Sequence, residues 1–276
     1  MKRRVQVTGK STFTVSLPKR WAEKVGLMKG REVEIKTFRD FLIIKTGKYG
    51  KNFRVIDGDK IRDREILLRK ILASYFDGVK EVKVINVDPL LVKKAITKLM
   101  GLEVVEEDKD FIVLRDVLDI CELPVKKVLR RMLSIIKSML ILLKSNNLQQ
   151  LYTLDDEIDK LYFLVVRQLR RAVADPEFSE KIGVTPVECL DYRIVAKELE
   201  EIADDIVNLS NENVEDAALL DSIIELLALS LKSLLEGDIE LANYVRREIE
   251  KLKRNCPKEL INVAERVADI SDIVSK

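Results

Sequence analysis

The sequence predicts a multidomain protein: a small strand-rich head, a small α+β middle module, and an all-α C-terminal pair of three-helix bundles. Three observations support this fold class. Apolar residues alternate along the first part of the chain, strand and helix patterns interleave in the middle, and an apolar stripe of helical period occurs twice in the second half. A chain of 276 residues is long enough for several cores. The predicted domains are 1–47, 53–118, 123–210 and 214–276.

The head is predicted to begin with a β-hairpin, because apolar residues alternate on both sides of the turn signal Thr8-Gly9-Lys10. A short helix over 18–25 follows, then two strands near 33–35 and 42–44. Strands this small cannot bury a core by themselves, and their exposed edges favour pairing with another chain. We therefore expect the head to be complete only in a dimer.

The middle module is predicted to contain four strands and two helices. The strands are expected over 53–56, 81–87, 102–106 and 111–114, and the helices over 63–76 and 89–100. Asp88 is the predicted N-cap of the second helix, Pro89 lies in its first turn and Gly101 ends it. Because this module shows no phosphate loop, nucleophile or metal-ligand spacing, we interpret it as a spacer and dimerisation element.

The second half of the chain is an internal repeat. A shift of 91 residues lays one apolar stripe on another. The first stripe is Leu129, Leu133, Ile136, Leu140 and Leu143, and the second is Leu220, Ile224, Leu227, Leu231 and Leu234. The ends of the copies align at a shift of 65 residues, because the first copy has a longer connection between Asp175 and Pro186. Two unequal three-helix units are therefore predicted.

Carboxylates four residues apart recur on these predicted helices. Residues i and i+4 share a helix face, and like charges at that spacing cost a helix roughly 0.2–0.5 kcal/mol per pair. A hard cation that accepts oxygen ligands would compensate, whereas a solvated acidic face is the alternative. The candidate metal ligands are Asp155, Asp159, Glu200 and Asp204 in the first copy and Glu250, Glu265 and Asp269 in the second. Arg246 stands where the first copy has Asp155.

These acidic runs resemble the E/D-x-x-x-D motifs of PhoU, the phosphate-uptake regulator, over roughly residues 123 to 276. They are Asp155-Asp156-Glu157-Ile158-Asp159, Leu199-Glu200-Glu201-Ile202-Ala203-Asp204 and the echo that starts at Glu265. The resemblance implies two pseudo-symmetric three-helix bundles that bind iron, zinc or other divalent ions, such as Mg²⁺ or Mn²⁺, on acidic faces. It also implies restraint of phosphate import through a transporter and its signalling components. Arg246 departs from the motif.

Charge is distributed very unevenly along the chain. Residues 1 to 54 contain 15 Lys and Arg against 4 acids, a net charge of +11, whereas residues 144 to 276 contain 17 against 28, a net charge of −11. A basic segment of this density is typical of a surface that binds a polyanion, most often nucleic acid. The alternative is a solubilising basic surface.

The order of residues in the head resembles the AbrB/SpoVT domain over about residues 1 to 47. The matching features are Val15-Ser16-Leu17-Pro18-Lys19, Gly26-Leu27, Lys29-Gly30 and Val33-Glu34-Ile35, whereas Lys10-Ser11-Thr12 departs from the pattern. The resemblance implies a swapped-hairpin β-barrel formed by two chains, hence a homodimer through the head, that grips the phosphates of double-stranded DNA. The candidate DNA-binding residues are Arg3, Arg4, Lys10, Lys19, Arg20 and Lys24.

Composition excludes several classes of function. With no histidine, the chain has no Ser-His-Asp triad, no His-ligated zinc hydrolase site and no Glu-x-x-His di-iron site. Carboxylate pairs also serve glycosidases, but the acidic half has few aromatic side chains to bind sugars. We therefore expect a protein that is not an enzyme. No apolar run reaches the length of a spanning helix and no signal peptide is evident, so we expect a cytoplasmic protein without membrane insertion.

Two functions remain open from the sequence. One is a DNA-binding regulator of phosphate uptake whose helical half senses metal or phosphate status. The other is a PhoU-type adaptor that restrains a phosphate transporter or its signalling by protein contact, with the basic head used for dimerisation.

Overall fold

The computed structural model describes residues 2–37, 41–46, 53–61, 63–144, 148–210 and 217–274. The chain forms two compact units, Met1–Lys51 and Asn52–Lys276, and each is described by itself. The predicted domain boundaries at residues 47 and 214 lie outside the described residues.

The head contains two separate two-stranded antiparallel sheets and one short helix. Strands β1 (Gln6–Thr8) and β2 (Thr12–Thr14) form the predicted hairpin, helix α1 (Lys19–Lys24) follows, and β3 (Glu34–Thr37) pairs with β4 (Leu42–Lys45). The elements predicted from the sequence of the head are confirmed at this level. The swapped-hairpin barrel, which needs a second chain, stays a prediction.

Helix α1 ends in a left-handed residue. Gly26 has φ +70°, and the amide of Leu27 donates to the carbonyl of Ala22 over 2.8 Å, the bond that characterises a Schellman C-cap. Glycine suits this position because it has no Cβ to oppose a positive φ. The Gly26-Leu27 pair of the sequence therefore forms the C-cap of α1.

The described residues of the head form no buried core within one chain. Every described residue of the head is exposed or only partly buried, and Phe13 and Met28 are both 75% exposed. Large apolar side chains are normally removed from water in a stable domain, and this exposed set is an apolar surface that stays open to solvent in one chain.

The middle module is a four-stranded sheet covered on one face by two helices. Its elements are β5 (Phe53–Asp57), α2 (Arg64–Phe76), β6 (Glu81–Ile85), α3 (Pro89–Ile96), β7 (Leu102–Asp108) and β8 (Phe111–Asp116). The strand order is β5-β6-β8-β7, with β5 parallel to β6 and the other neighbours antiparallel. Ile71 of α2 and Val92 of α3 are fully buried against the sheet. The predicted α+β composition is confirmed.

Helix α3 is shorter than the sequence predicted. It begins at Pro89 with Asp88 as N-cap, as expected, but ends at Ile96 and not next to Gly101. The amide of Leu99 bonds to the carbonyl of Ile96 over 2.8 Å, an i to i−3 contact that winds the chain into tighter turns. Gly101 lies just before β7 with φ +78°, and a Cβ there would lie 2.3 Å from the Cβ of Leu118. A glycine at position 101 therefore allows the backbone after α3 to pass close to Leu118.

The helical half consists of two groups of packed helices that share one apolar core. The first contains α4 (Val125–Lys144), α5 (Leu148–Ala174), α6 (Pro176–Ile182) and α7 (Pro186–Leu209), and the second contains α8 (Ala217–Glu236), α9 (Ile239–Lys253) and α10 (Lys258–Asp272). Helix α4 packs on α8, and α7 packs on α10, which joins the bundles. Both repeated stripes contribute to the core, with Leu129 and Leu220 fully buried.

The longer connection in the first copy is itself helical. Asp175 caps α6, and Thr185 and Glu188 form a capping box at the start of α7. The sequence predicted the extra length but not the helix α6 within it. Among the described residues, no helix has the length and apolar character needed to cross a membrane.

Candidate functional site

The four candidate ligands of the first bundle lie on the packed pair α5 and α7. Asp155 and Asp159 are one turn apart on α5, and Glu200 and Asp204 are one turn apart on α7. These four residues are called the first acidic face below. Burial, followed by repulsion from Asp204 and Asp159, raises the pKa of Asp155 to about 6. The carboxylates of the two helices therefore interact across the face.

The two acids of α7 show the same effect. Burial raises the pKa of Asp204, and the charge of Asp159 adds to the rise. Burial also raises the pKa of Glu200, and although Lys197 acts in the opposite direction, the charges of Asp204 and Asp159 support the increase. Like charges held together in a partly buried place disfavour ionisation, so a nearby cation would stabilise the ionised carboxylates of this face.

Two lysines supply positive charge at this face. Lys98, in the turn after α3 of the middle module, places its Nζ 2.5 Å from Oδ2 of Asp159 and 3.3 Å from Oδ1 of Asp156. The Nζ of Lys197 lies 2.5 Å from both Glu200 and Glu201. Lys197 precedes Glu200 and Glu201 by one helical turn, so its contact with them was predictable from the sequence. Lys98 is far from all of these acids along the chain, and no sequence pattern pointed to it.

The donor set of the first acidic face suits cations that accept oxygen ligands. Four carboxylates on neighbouring helices match the preference of Mg²⁺, Mn²⁺ and Ca²⁺, and bridging carboxylates also hold iron. Within the part of the chain that the structure describes, however, no three His, Cys, Asp or Glu side chains converge closely enough to form a ready-made metal site. A metal ion would therefore have to draw the four carboxylates together.

The second bundle places its candidate ligands differently. Glu250, Glu265 and Asp269 are all exposed, and the Nζ of Lys253 lies 3.0 Å from Glu265 and 3.7 Å from Glu250. Arg246, the residue that departs from the acidic motif, forms an ion pair with Asp272 of α10. Basic side chains thus already neutralise part of this face, and the structure does not bring its acids into one partly buried group.

Arg266 of α10 contacts a second row of acids on α7. Its guanidinium lies 3.2 Å from Glu198, 2.9 Å from Glu201 and 2.7 Å from Asp205. Burial alone would lower the pKa of Arg266, but these three carboxylates raise it. Helix α7 therefore carries two acidic rows, one toward α5 and one that ties the bundles together through Arg266. No sequence pattern pointed to this role of Arg266.

The middle module is attached to α5 by a buried charge pair. The guanidinium of Arg167, only 2% exposed, bonds to Asp116 at the end of β8 and lies 4.6 Å from the ring centroid of Tyr75. Lys80 approaches the same carboxylate over 2.9 Å. Burial would raise the pKa of Asp116, but the bonds and charges of Arg167 and Lys80 outweigh it and lower that pKa. No local sequence pattern pointed to this pair.

The candidate DNA-binding residues of the head are all exposed. Arg3 and Arg4 precede β1, Lys10 lies in the hairpin turn, and Lys19, Arg20 and Lys24 lie on α1. Among the described residues, only Lys19 of this set has an ion pair, with Glu23 at 3.8 Å. Basic side chains on a solvent-facing surface are free to contact phosphates.

Arg31, a basic residue of the same segment, has a different role. Its Nη1 donates to the carbonyl of Gly26 over 2.7 Å, and its Nη2 donates to the carbonyl of Thr46 over 3.0 Å. Arg31 therefore ties the end of α1 to the end of β4. Not every cation of the basic head is available to a ligand.

Comparison with protein families identifies two parts of the chain. Residues 125–212, which span α4 to α7, match the PhoU domain model, and residues 6–52 match the model of "Antidote-toxin recognition MazE, bacterial antitoxin". Comparisons with curated proteins and with solved structures give no match. The matches confirm both resemblances, so the chain contains a PhoU domain that follows an N-terminal MazE/AbrB-like domain.

Proposed function

We propose that this protein is a DNA-binding transcriptional regulator of phosphate uptake whose PhoU-like helical half senses a metal ion. The PhoU domain supports a role in phosphate-uptake regulation, and the MazE/AbrB-like domain suggests DNA binding. The observation that carries the proposal is that the head and the helical half of one chain differ both in the sign of their charge and in whether they bury apolar side chains. A basic head whose described residues are never buried precedes an acidic helical half whose described helices enclose a large apolar core.

The head acts as a dimer in this proposal. Its described residues include no buried apolar side chain, and Val7, Phe13 and Ile35 are all more than half exposed. Pairing two heads would cover such side chains and close the strand edges. It would also bring two copies of Arg4 and Lys10 onto one surface, doubling the charge presented to a duplex.

DNA binding is tested by fluorescence anisotropy of the full chain with a mixed-sequence duplex. If a dimer makes about six to ten phosphate contacts, affinity should fall roughly 10³–10⁵-fold between about 50 and 200 mM salt. Arg4→Ala with Lys10→Ala should weaken all duplexes alike, because phosphate contacts carry no base information. The matched control is Arg247→Ala with Arg254→Ala, two exposed arginines of the helical half. Binding that ignores salt, or no binding, would contradict the proposal.

The metal-sensing part of the proposal rests on the first acidic face. Asp155, Asp159, Glu200 and Asp204 would hold a divalent or iron-type ion through carboxylate oxygens, with the ion supplying positive charge where burial and repulsion now raise the pKa values of three of them. The second face, with Lys253 and Arg246 beside its acids, should bind more weakly.

Thermal unfolding of the full chain with chelator and with Mn²⁺ tests this assignment. A ligand that binds only the folded state stabilises it by roughly 2.7 kcal/mol at a hundredfold excess over its dissociation constant. Asp159→Asn with Asp204→Asn should remove most of the Mn²⁺-dependent shift, whereas Glu250→Gln with Asp269→Asn should remove less. Identical melting with chelator and with Mn²⁺ would show that these carboxylates are only a solvated face.

One observation favours the adaptor alternative. Val187, Leu190 and Ile194 follow one another at helical spacing on α7 of the PhoU domain, and they are 48%, 64% and 49% exposed. An exposed apolar stripe is typical of a surface that contacts another protein. If Leu190→Glu abolishes the effect on phosphate transport in cells, and deletion of the head leaves that effect unchanged, the adaptor function is correct and the DNA-binding function is wrong.

A further inference from the structure

Among the contacts between the middle module and α5, which also include an ion pair of Asp77 with Arg170, two differ in chemistry. At one, Arg167 and Asp116 form a pair in which both side chains are almost completely buried, and Tyr75 covers the guanidinium. At the other, about two turns toward the start of α5, Lys98 reaches Asp159 and Asp156 from an exposed turn. The aromatic rings of Phe76 and Phe163 meet between them, with centroids 5.9 Å apart.

We propose that Lys98 is an ionic latch that competes with a divalent cation for the first acidic face, so that cation binding releases this end of the middle module from α5. The proposal rests on the metal-sensing function above and adds its consequence for the rest of the chain. The buried pair of Arg167 and Asp116 keeps the module attached when the latch opens.

The position of the ammonium carries the argument. The Nζ of Lys98 lies 2.5 Å from Oδ2 of Asp159, and this carboxylate is the more buried of its two partners, with 19% of the side chain exposed against 61% for Asp156. The first acidic face thus already holds a cationic group, and that group comes from a different module. Metal ions bind carboxylate oxygens at about 2.0–2.6 Å, so an ion on Asp159 would stand next to the ammonium and repel it.

The latch is also placed where its release has a structural effect. Lys98 lies in the short segment between α3 and β7, where the amide of Leu99 bonds to Ile96 and the carbonyl of Met100 accepts from the hydroxyl of Tyr75 over 3.1 Å. When the side chain of Lys98 leaves Asp159, the part of this segment around Lys98 is no longer held to α5. The bond from Tyr75, beside the buried Arg167, still holds its far end.

Calorimetric titration of the full chain with Mn²⁺ tests the competition. Lys98→Gln removes the competing charge and should bind Mn²⁺ about tenfold more tightly than the unchanged protein, the size of effect expected for neighbouring coupled groups. Lys98→Arg keeps the charge and should bind like the unchanged protein. Lys94→Gln, at an exposed lysine of α3 that has no ion pair among the described residues, is the matched control and should have no effect.

Hydrogen exchange supplies the structural readout. Mn²⁺ should accelerate exchange of the amides of residues 97–99 in the unchanged protein, and the same amides should exchange quickly in Lys98→Gln even without Mn²⁺. If Lys98→Gln and the unchanged protein bind Mn²⁺ equally, or if exchange there does not change, the latch is wrong while metal sensing stands. If no variant binds Mn²⁺, including Lys98→Gln, the metal-sensing function fails and the latch fails with it.

Discussion

Asp155→Asn should stabilise the protein at neutral pH, although it removes a charged group from a candidate binding site. Burial and the repulsion of Asp204 and Asp159 raise the pKa of Asp155 from 3.8 to about 6. Because the folded state favours the protonated form of Asp155, protonation of this side chain stabilises the fold. That contribution is fully present below about pH 4 and is lost as pH rises through 6. At pH 7.5 the ionised carboxylate therefore opposes folding, and an uncharged amide would not.

The size of the effect follows from this shift. A rise of about two pKa units corresponds to roughly 3 kcal/mol, since one unit is about 1.4 kcal/mol. Asp155 is only partly buried, and solvent screening reduces the value to about 1–1.5 kcal/mol. In a protein of this size that gain raises Tm by about 2–5 °C.

Thermal unfolding of Asp155→Asn and the unchanged protein, both in chelator, measures this difference between pH 4 and pH 7.5. The gap should be small near pH 4, grow between about pH 4 and 6 and level off above pH 6, whereas Mn²⁺ should stabilise the variant less than the unchanged protein. Asp156→Asn is the control: its exposed ion pair with Lys98 should cost no more than about 1 kcal/mol, the opposite sign. A destabilised Asp155→Asn, or a gap that does not depend on pH, would refute the reasoning.

The other predictions concern contacts that hold the units together. Arg266→Ala should lower stability by about 1–3 kcal/mol in urea unfolding, because it leaves three partly buried carboxylates on α7 without their shared cation, whereas the exposed control Arg247→Ala should be nearly neutral. Arg167→Leu should cost about 3–5 kcal/mol, because Asp116 then stays buried with Lys80 alone. Since Arg167 and Lys80 lower the pKa of Asp116, its contribution is present above about pH 4 and is lost as pH falls below it. Phe13→Asp should convert a dimer to a monomer in sedimentation velocity, and an unchanged sedimentation coefficient would argue against the paired head.

The sequence by itself determined the order of the elements. Alternation around Gly9 predicted the hairpin, the Asp88-Pro89 pair predicted the start of α3, and the apolar stripe repeated after 91 residues predicted α4 and α8. These patterns depend on local backbone geometry and on which face of an element avoids water, both of which are written in residues close together along the chain. The acidic motif was readable for the same reason.

Tertiary structure alone decided which charges meet. Lys98 and Asp159 are 61 positions apart along the chain, and so are Arg266 and Asp205. Such pairs form because the packing of apolar helix faces decides which charged side chains become neighbours. No local pattern predicts them. The pairing of Arg167 with Asp116 is of the same kind, because an arginine in an apolar helix face only becomes a buried ion once a strand end is packed against it.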